Sequence, residues 1–222
     1  MLVTREPAIL YFGTPVALIS TVNEDGSVNL APMSSAFWLG WRCILGFAAG
    51  SKTPQNMRRS GECVLNLASV DNVAAVDRLA RTTGSDPAPP GKLARGYSHE
   101  REKFEIAGLT PIASQTVAPP RALECPVQLE AVVESAHGMA EDDDALRGLF
   151  ITFELRIQRV HLDDAILMNG EPNRIDPAKW RPLIMSFQKF YGLQPHELRH
   201  STLGEISEAH YRTLDIDRAR RA

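Results

Sequence analysis

The chain has 222 residues, 44% of them hydrophobic and 23% charged, with a formal net charge of −3. Such a composition builds a core, so it excludes a disordered chain, and its modest glycine and cysteine contents exclude a collagen-like chain and a disulfide scaffold. Near-neutral charge offers no basic stripe for a nucleic-acid backbone, and the longest apolar runs, 43–49 and 64–68, fall well short of the ~20 residues of a membrane-spanning helix.

The N-terminus carries Arg5, Glu6 and Pro7 where a signal peptide has a basic segment and a continuous apolar run. Cys43, Cys63 and Cys125 are odd in number and widely spaced, which reads as three small buried hydrophobes in a reducing compartment. Both features point to a cytoplasmic protein. Residues 16–22 are β-branched and apolar, the Asp25-Gly26 pair signals a tight turn, and 27–38 continues as a second strand. Pro32 has no N–H to give, so that strand is bent, bulged or at an edge there. Residues 43–47 form a third short strand, in which Gly46 marks a bulge or a close backbone approach.

The period then changes. Over 51–61, Thr53 is placed to cap a helix, Pro54 suits its first position and Gly61 ends it. Residues 62–67 return to a strand. Residues 71–81 read as a helix with Val73, Val76, Leu79 and Ala80 on one face. The segment 82–98 is rich in Pro, Gly and Ser and longer than an ordinary connection, which makes it a functional lid or an interface arm. Residues 124–135 and 151–162 alternate as an antiparallel hairpin around an acidic loop, 182–191 reads as a final strand, and 205–222 as a polar C-terminal helix or tail. The pattern is mainly β with a few short helices, a closed or split antiparallel barrel, in one domain over 1–222.

Two stretches carry possible chemistry. At Ser51-Lys52-Thr53-Pro54 a strand ends in two hydroxyls and an ammonium at the start of a helix. The first helical turn has unpaired N–H groups and partial positive charge, so this is an anion site of phosphate type, or simply a capped helix beside a solvated lysine. At 29–38 small hydroxyl residues follow a proline and leave backbone groups for a planar hydrogen-bonding ligand, or form a bent edge strand. His196 and His200 stand four apart but lack an HExxH pattern and read as surface or capping residues. Asp142–Asp144 lacks a calcium-loop pattern and reads as a solvated hairpin tip; no metal site is expected. Tyr97 and His99 end the long loop and line an active-site mouth or lie in solvent. Arg218, Arg220 and Arg221 read as a frayed basic end.

Taken in order, Val28–Ser35, Ser51–Asn56, Gly61–Leu67, Glu102–Thr110, Leu123–Glu130, Val160–Asp164 and Pro182–Tyr191 resemble the flavin reductase-like family over roughly residues 8–195. The 82–98 insert resembles the flavoredoxin and nitrilotriacetate monooxygenase reductase-component branch. The resemblance implies an FMN-binding split β-barrel, NADH or NADPH as electron donor, a homodimer, and a monooxygenase or other acceptor as partner. It implies that Ser34, Ser35 and the adjacent backbone of Met33 and Ala36 contact the isoalloxazine. It places Ser51, Lys52 and Thr53, with Ala49 beside them, on the FMN phosphate, Asn56 near the ribityl–phosphate end, and Tyr191 near the flavin. Departures from the family pattern are Pro54 where many members have Asp, the bulky Phe37-Trp38, and Met185 where relatives often have Arg. Hydride transfer from nicotinamide to flavin is the cofactors' own chemistry and needs no nucleophile or base triad, and no catalytic residue is assigned. The alternative on the same barrel is a non-catalytic flavin-binding or storage protein.

Overall fold

The computed structural model describes residues 2–222. Its strands and helices used below are β1 (Phe12–Pro15), β2 (Ala17–Val22), β3 (Val28–Met33), β4 (Ala36–Leu39), β5 (Arg42–Ala48), α1 (Lys52–Ser60), β6 (Glu62–Leu67), α2 (Val73–Leu79), α3 (Lys103–Ala107), β7 (Val127–Gly138), β8 (Phe150–Leu162), β9 (Ile184–Ser186), β10 (Lys189–Tyr191) and α4 (Leu214–Ala219). Seven of these strands form one antiparallel sheet in the order β3-β2-β6-β7-β8-β5-β4.

The sheet's two edge strands, β3 and β4, are consecutive in the chain and joined by Ser34 and Ser35 alone. A flat seven-stranded sheet would be about 29 Å across. Three Cα–Cα steps from Met33 to Ala36 span at most about 11 Å. The sheet therefore curls until its edges meet at that corner. Elsewhere β3 and β4 are not hydrogen-bonded to one another, so the barrel is split rather than closed.

Alternation sorts the side chains on the two faces. Ile19, Leu45, Phe47, Cys63, Leu65, Leu129, Phe153 and Leu155 fill the inside, and Met57 of α1 joins them. Leu18, Leu30, Val76, Leu79, Phe104 and Leu183 form a second core outside, under α2 and α3. All three cysteines are buried and unpaired. Burial pushes the Cys43 and Cys125 thiols up to about 12 and Cys63 higher still, so they are inert packing residues, as their sequence context implies.

Several boundaries differ from the sequence reading. The segment 27–38 is two strands at opposite edges of the sheet, with Pro32 on an edge as its missing N–H demands. The helix expected over 71–81 buries Ala75 instead of Val73, which is exposed. Segment 82–98 is not an open loop: Thr82–Thr83 pairs in parallel with Ser98–His99, closing its stem, and Pro90–Leu93 is a helical turn. The single last strand is a hairpin of β9 and β10, turned by Phe187 and Gln188 at φ 45° and 64°. This hairpin adds to β1 in a separate three-stranded sheet. The C-terminus is docked rather than frayed: Arg42 Nε lies 2.7 Å and Arg218 Nη1 2.8 Å from the Asp215 carboxylate.

Candidate functional site

The split in the barrel is a slot with four walls. β3 forms one side, because its far edge carries no strand. Gly46–Ala48 of β5 forms the other, since β4 pairs only with Arg42–Leu45. The corner Ser34–Ser35 closes one end, fixed by the Gly46 N–H donating to the Ser35 carbonyl at 2.9 Å. This contact is the close backbone approach that Gly46 signalled. From Ala48 the chain turns through Ala49 and Gly50, with the Ala49 N–H held by Leu149 O and the Ser51 N–H by Ala48 O. The first turn of α1 follows, beside Asn29 of β3 and about 13 Å of strand away from the Met33 corner.

The start of α1 differs in detail from expectation. Ser51, in extended conformation, is the N-cap residue, and Pro54 is the third helical residue rather than the first. A proline is tolerated anywhere in this turn because its N–H would be orphaned. Ser51 makes no side-chain capping bond, and the Lys52 and Thr53 N–H groups find no backbone acceptor. Thr53 does not cap. It is buried, and its hydroxyl accepts from Asn29 Nδ2 at 3.0 Å, which leaves its own proton to donate. Lys52 forms no ion pair among the described residues, where Lys179 is the only lysine that does. Gly61, at φ 73°, ends the helix, its N–H bonding Met57 O at 2.9 Å.

Met33, Ser34, Ser35, Ala36, Ala49, Ser51, Lys52 and Thr53 thus all border the slot. Asn56 does not face it. It is buried, and its amide donates inward to Thr21 Oγ1 (3.0 Å) and Asn23 Oδ1 (2.8 Å). The expected ribityl–phosphate contact is corrected to an anchor that pins α1 to the barrel. Tyr191 lies in the separate small sheet, opposite Ile184, which pairs with Pro15 of β1. Register puts that strand past the Met33 end of the slot, since Ala17 pairs with Met33.

Thr21, Asn23 and Asn29, which join Thr53 and Asn56 in one polar network, were given no individual role by the sequence. The network's one visible signal was Thr21 and Asn29, polar residues at buried strand positions, where each needs a hydrogen-bond partner. A second such group lies on β7. Glu130 is fully buried and accepts from Gln115 N, Thr116 N and Thr116 Oγ1, with His161 Nε2 at 2.7 Å. Burial raises its pKa, but the Thr116 hydroxyl, the Gln115 and Thr116 N–H groups and His161 outweigh it, so the carboxyl is held below its ordinary range. These bonds clamp loop 113–119 to the barrel.

A slot between two strand edges that no further strand covers, with a backbone corner at one end and the positive first turn of a helix at the other, suits a long ligand. The donor set would fit a planar hydrogen-bonding head and a phosphate tail, as a flavin nucleotide has. The sequence comparisons agree with the geometry. The family model for the flavin reductase like domain matches residues 9–194. The chain belongs to that family. The uncharacterised protein YdfE of Bacillus subtilis is 39% identical to this flavin reductase-like chain over 188 residues, 85% of this chain and 87% of YdfE. Flavoredoxin of Desulfovibrio vulgaris superposes with a TM-score of 0.71 at 19% identity, covering 92% of this chain and 100% of that one. Nitrilotriacetate monooxygenase component B from Bacillus cereus gives 0.66 at 21% identity, covering 85% and 88%. These two likenesses establish the split-barrel fold of the flavin reductase-like family. No described helix is long and apolar enough to cross a membrane, and no described group of His, Cys, Asp or Glu is arranged to hold a metal.

Proposed function

We propose that this flavin reductase-like protein is an NAD(P)H-dependent FMN reductase that hands electrons to a partner oxygenase or other acceptor, working in the cytoplasm as a homodimer. The carrying observation is the uncommitted first turn of α1, with Lys52 beside it, set across the end of a slot whose walls are unpaired strand edges. Bound FMN supplies the redox chemistry, accepting hydride from a nicotinamide and passing electrons on. The protein's part is placement. Lys52, the Ser51 and Thr53 hydroxyls and the two N–H groups hold the phosphate. Asn29 fixes the Thr53 hydroxyl by occupying one of its lone pairs. The backbone of Met33–Ala36 and of Gly46–Ala49 binds the polar edge of the ring and excludes water from one face. Tyr191 is proposed to border the ring end. The oxygenase partner is supported by the component B likeness and the homodimer by family resemblance.

An absorbance spectrum of the purified protein, repeated after anaerobic addition of NADH and then NADPH, tests the reading. A flavin band that bleaches supports it and names the donor. A band that both donors leave intact favours the storage alternative. Replacing Lys52 and Thr53 with Ala should weaken FMN roughly ten- to a hundredfold while leaving riboflavin, which has no phosphate, unchanged. Equal losses for both flavins would overturn the phosphate assignment.

A further inference from the structure

Beyond β10 the chain runs on as an arm, 192–213, before α4 docks. Every residue from Gly192 to Arg212 is exposed. The arm is nonetheless shaped. It folds into two capped turns, Thr202–Glu205 and Glu208–Tyr211, where the Ser201 and Ser207 hydroxyls accept the Leu203 and Ala209 N–H groups at 3.2 and 3.4 Å. Among the described residues, its turns bond only within the arm, and a single ion pair, Arg174 with Glu208 at 3.0 Å, ties it to the body of the protein.

Large apolar side chains recur along it at Leu193, Leu198, Leu203, Ile206 and Tyr211, with Leu198 86% and Leu203 67% exposed. They follow directly on the exposed Phe187 and Tyr191 of the β9–β10 hairpin. Ordering a backbone costs conformational entropy at each residue, and an arm that buries none of these side chains recovers none of it within its own chain. Apolar surface on this scale marks an interface.

Area decides what covers it. The chain exposes 13482 Å², where a compact monomer of 24.5 kDa exposes about 10,000 Å². The excess, about 3,400 Å², is larger than one copy's half of a permanent dimer interface, roughly 1,000–2,500 Å². A passing electron acceptor covers less, under about 600 Å² on each side, and leaves the arm bare between encounters. A second copy covers it permanently, and a two-fold axis covers both arms at once.

We propose that the arm 192–213 is the dimerisation element of this protein: each copy's arm lies against the second copy and buries Leu198, Leu203 and Ile206 there. This rests on the homodimer proposed above and names the face that makes it. The arm lies almost wholly outside the stretch matched to the family, 9–194, and so belongs to this chain rather than to the shared barrel.

Sedimentation velocity over a dilution series, on the native protein and on Leu198→Asp combined with Leu203→Asp, tests it, with hydrogen exchange over 193–212 read at the same concentrations. The native protein should be dimeric at micromolar concentration, and its arm should be protected in the dimer and lose protection on dilution to monomer. The double substitution buries two carboxylates in the contact and should weaken the dimer at least about a hundredfold. Hydrogen exchange on the native protein carries the test should the variant fold poorly. Leu146→Asp combined with Leu149→Asp sets the same charges on another exposed apolar patch, the tip between β7 and β8. A dimer that survives in the arm variant overturns the proposal and leaves the homodimer reading standing; the tip variant then tells whether the copies meet there. An arm that exchanges equally fast in dimer and monomer overturns it in the same way. Dissociation in both variants, with the arm protected in the native dimer, upholds it and makes the tip a second part of the same interface. Native protein that stays monomeric overturns both the arm's role and the homodimer.

Discussion

Two short helices dock on the same barrel by opposite means. α1 inserts Met57 among the inner side chains and is pinned chiefly by neutral amides and hydroxyls, buried at Thr21, Asn29, Thr53 and Asn56 and half-buried at Asn23. α4, six residues long, is held chiefly by charge: Arg42 reaches Asp215, Glu154 and Glu134 together, and Arg218 closes onto Asp215. The 22 residues before it, 192–213, are almost all exposed. The phosphate site proposed at α1 would need fixed donors, and largely neutral, mostly buried hydrogen bonds supply them with little response to salt or pH. Ion pairs near the surface are screened and titrate. The contrast assigns α1 to the rigid part of the molecule and α4 to a part that opens first.

The largest effect is expected at Met57. Met57→Ala empties a fully buried position under α1 and should cost about 2–5 kcal/mol of stability, read by denaturant unfolding. FMN binding should weaken in the same variant, because the helix turn shifts with its packing. A loss below about 1 kcal/mol would mean that α1 is not seated by the core.

Asn56→Ala comes next, at about 1–3 kcal/mol, because it removes the donor to Asn23 Oδ1 and leaves the buried Thr21 hydroxyl only the longer 3.4 Å bond from Asn29. Its midpoint shift should be the same at low and high salt. Salt dependence there would break the contrast with α4.

How far the sequence revealed this arrangement depends on how local each cause is. β6 is legible to the residue, since Cys63-Val64-Leu65 with Leu67 makes a short, mostly apolar run that begins just after the helix-ending Gly61. The slot residues Ser34–Ser35 and Ser51–Thr53 are legible as motifs. The helix start was misplaced by two residues because Ser51 and Thr53 are equally good caps and a proline is tolerated throughout the first turn. The β9–β10 turn was invisible, because Phe187 and Gln188 take positive φ without a glycine or asparagine to announce it. The role of Asn56 was hidden because its partners lie 35 and 33 residues away. The docking of α4 depends on a pair 173 residues apart, which no local pattern encodes.

The smallest effect on global stability, about 1 kcal/mol or less, is expected for Asp215→Asn, since releasing a six-residue helix leaves the barrel intact. Its local effect should be large. The Arg42 hydrogen bond, opposed by burial and helped by Arg218, holds the Asp215 carboxyl below its ordinary range. A depressed folded-state pKa makes this contribution fully present above the ordinary carboxylate value and lost as pH falls through the lowered one. Hydrogen exchange over 214–219 should therefore be protected at pH 7 in the native protein, and lose protection below about pH 4 or in high salt. In Asp215→Asn it should be unprotected at every pH, with FMN affinity unaltered. Protection that survives the substitution at neutral pH would show that α4 is held by packing, and the two helices would then differ in degree rather than in kind.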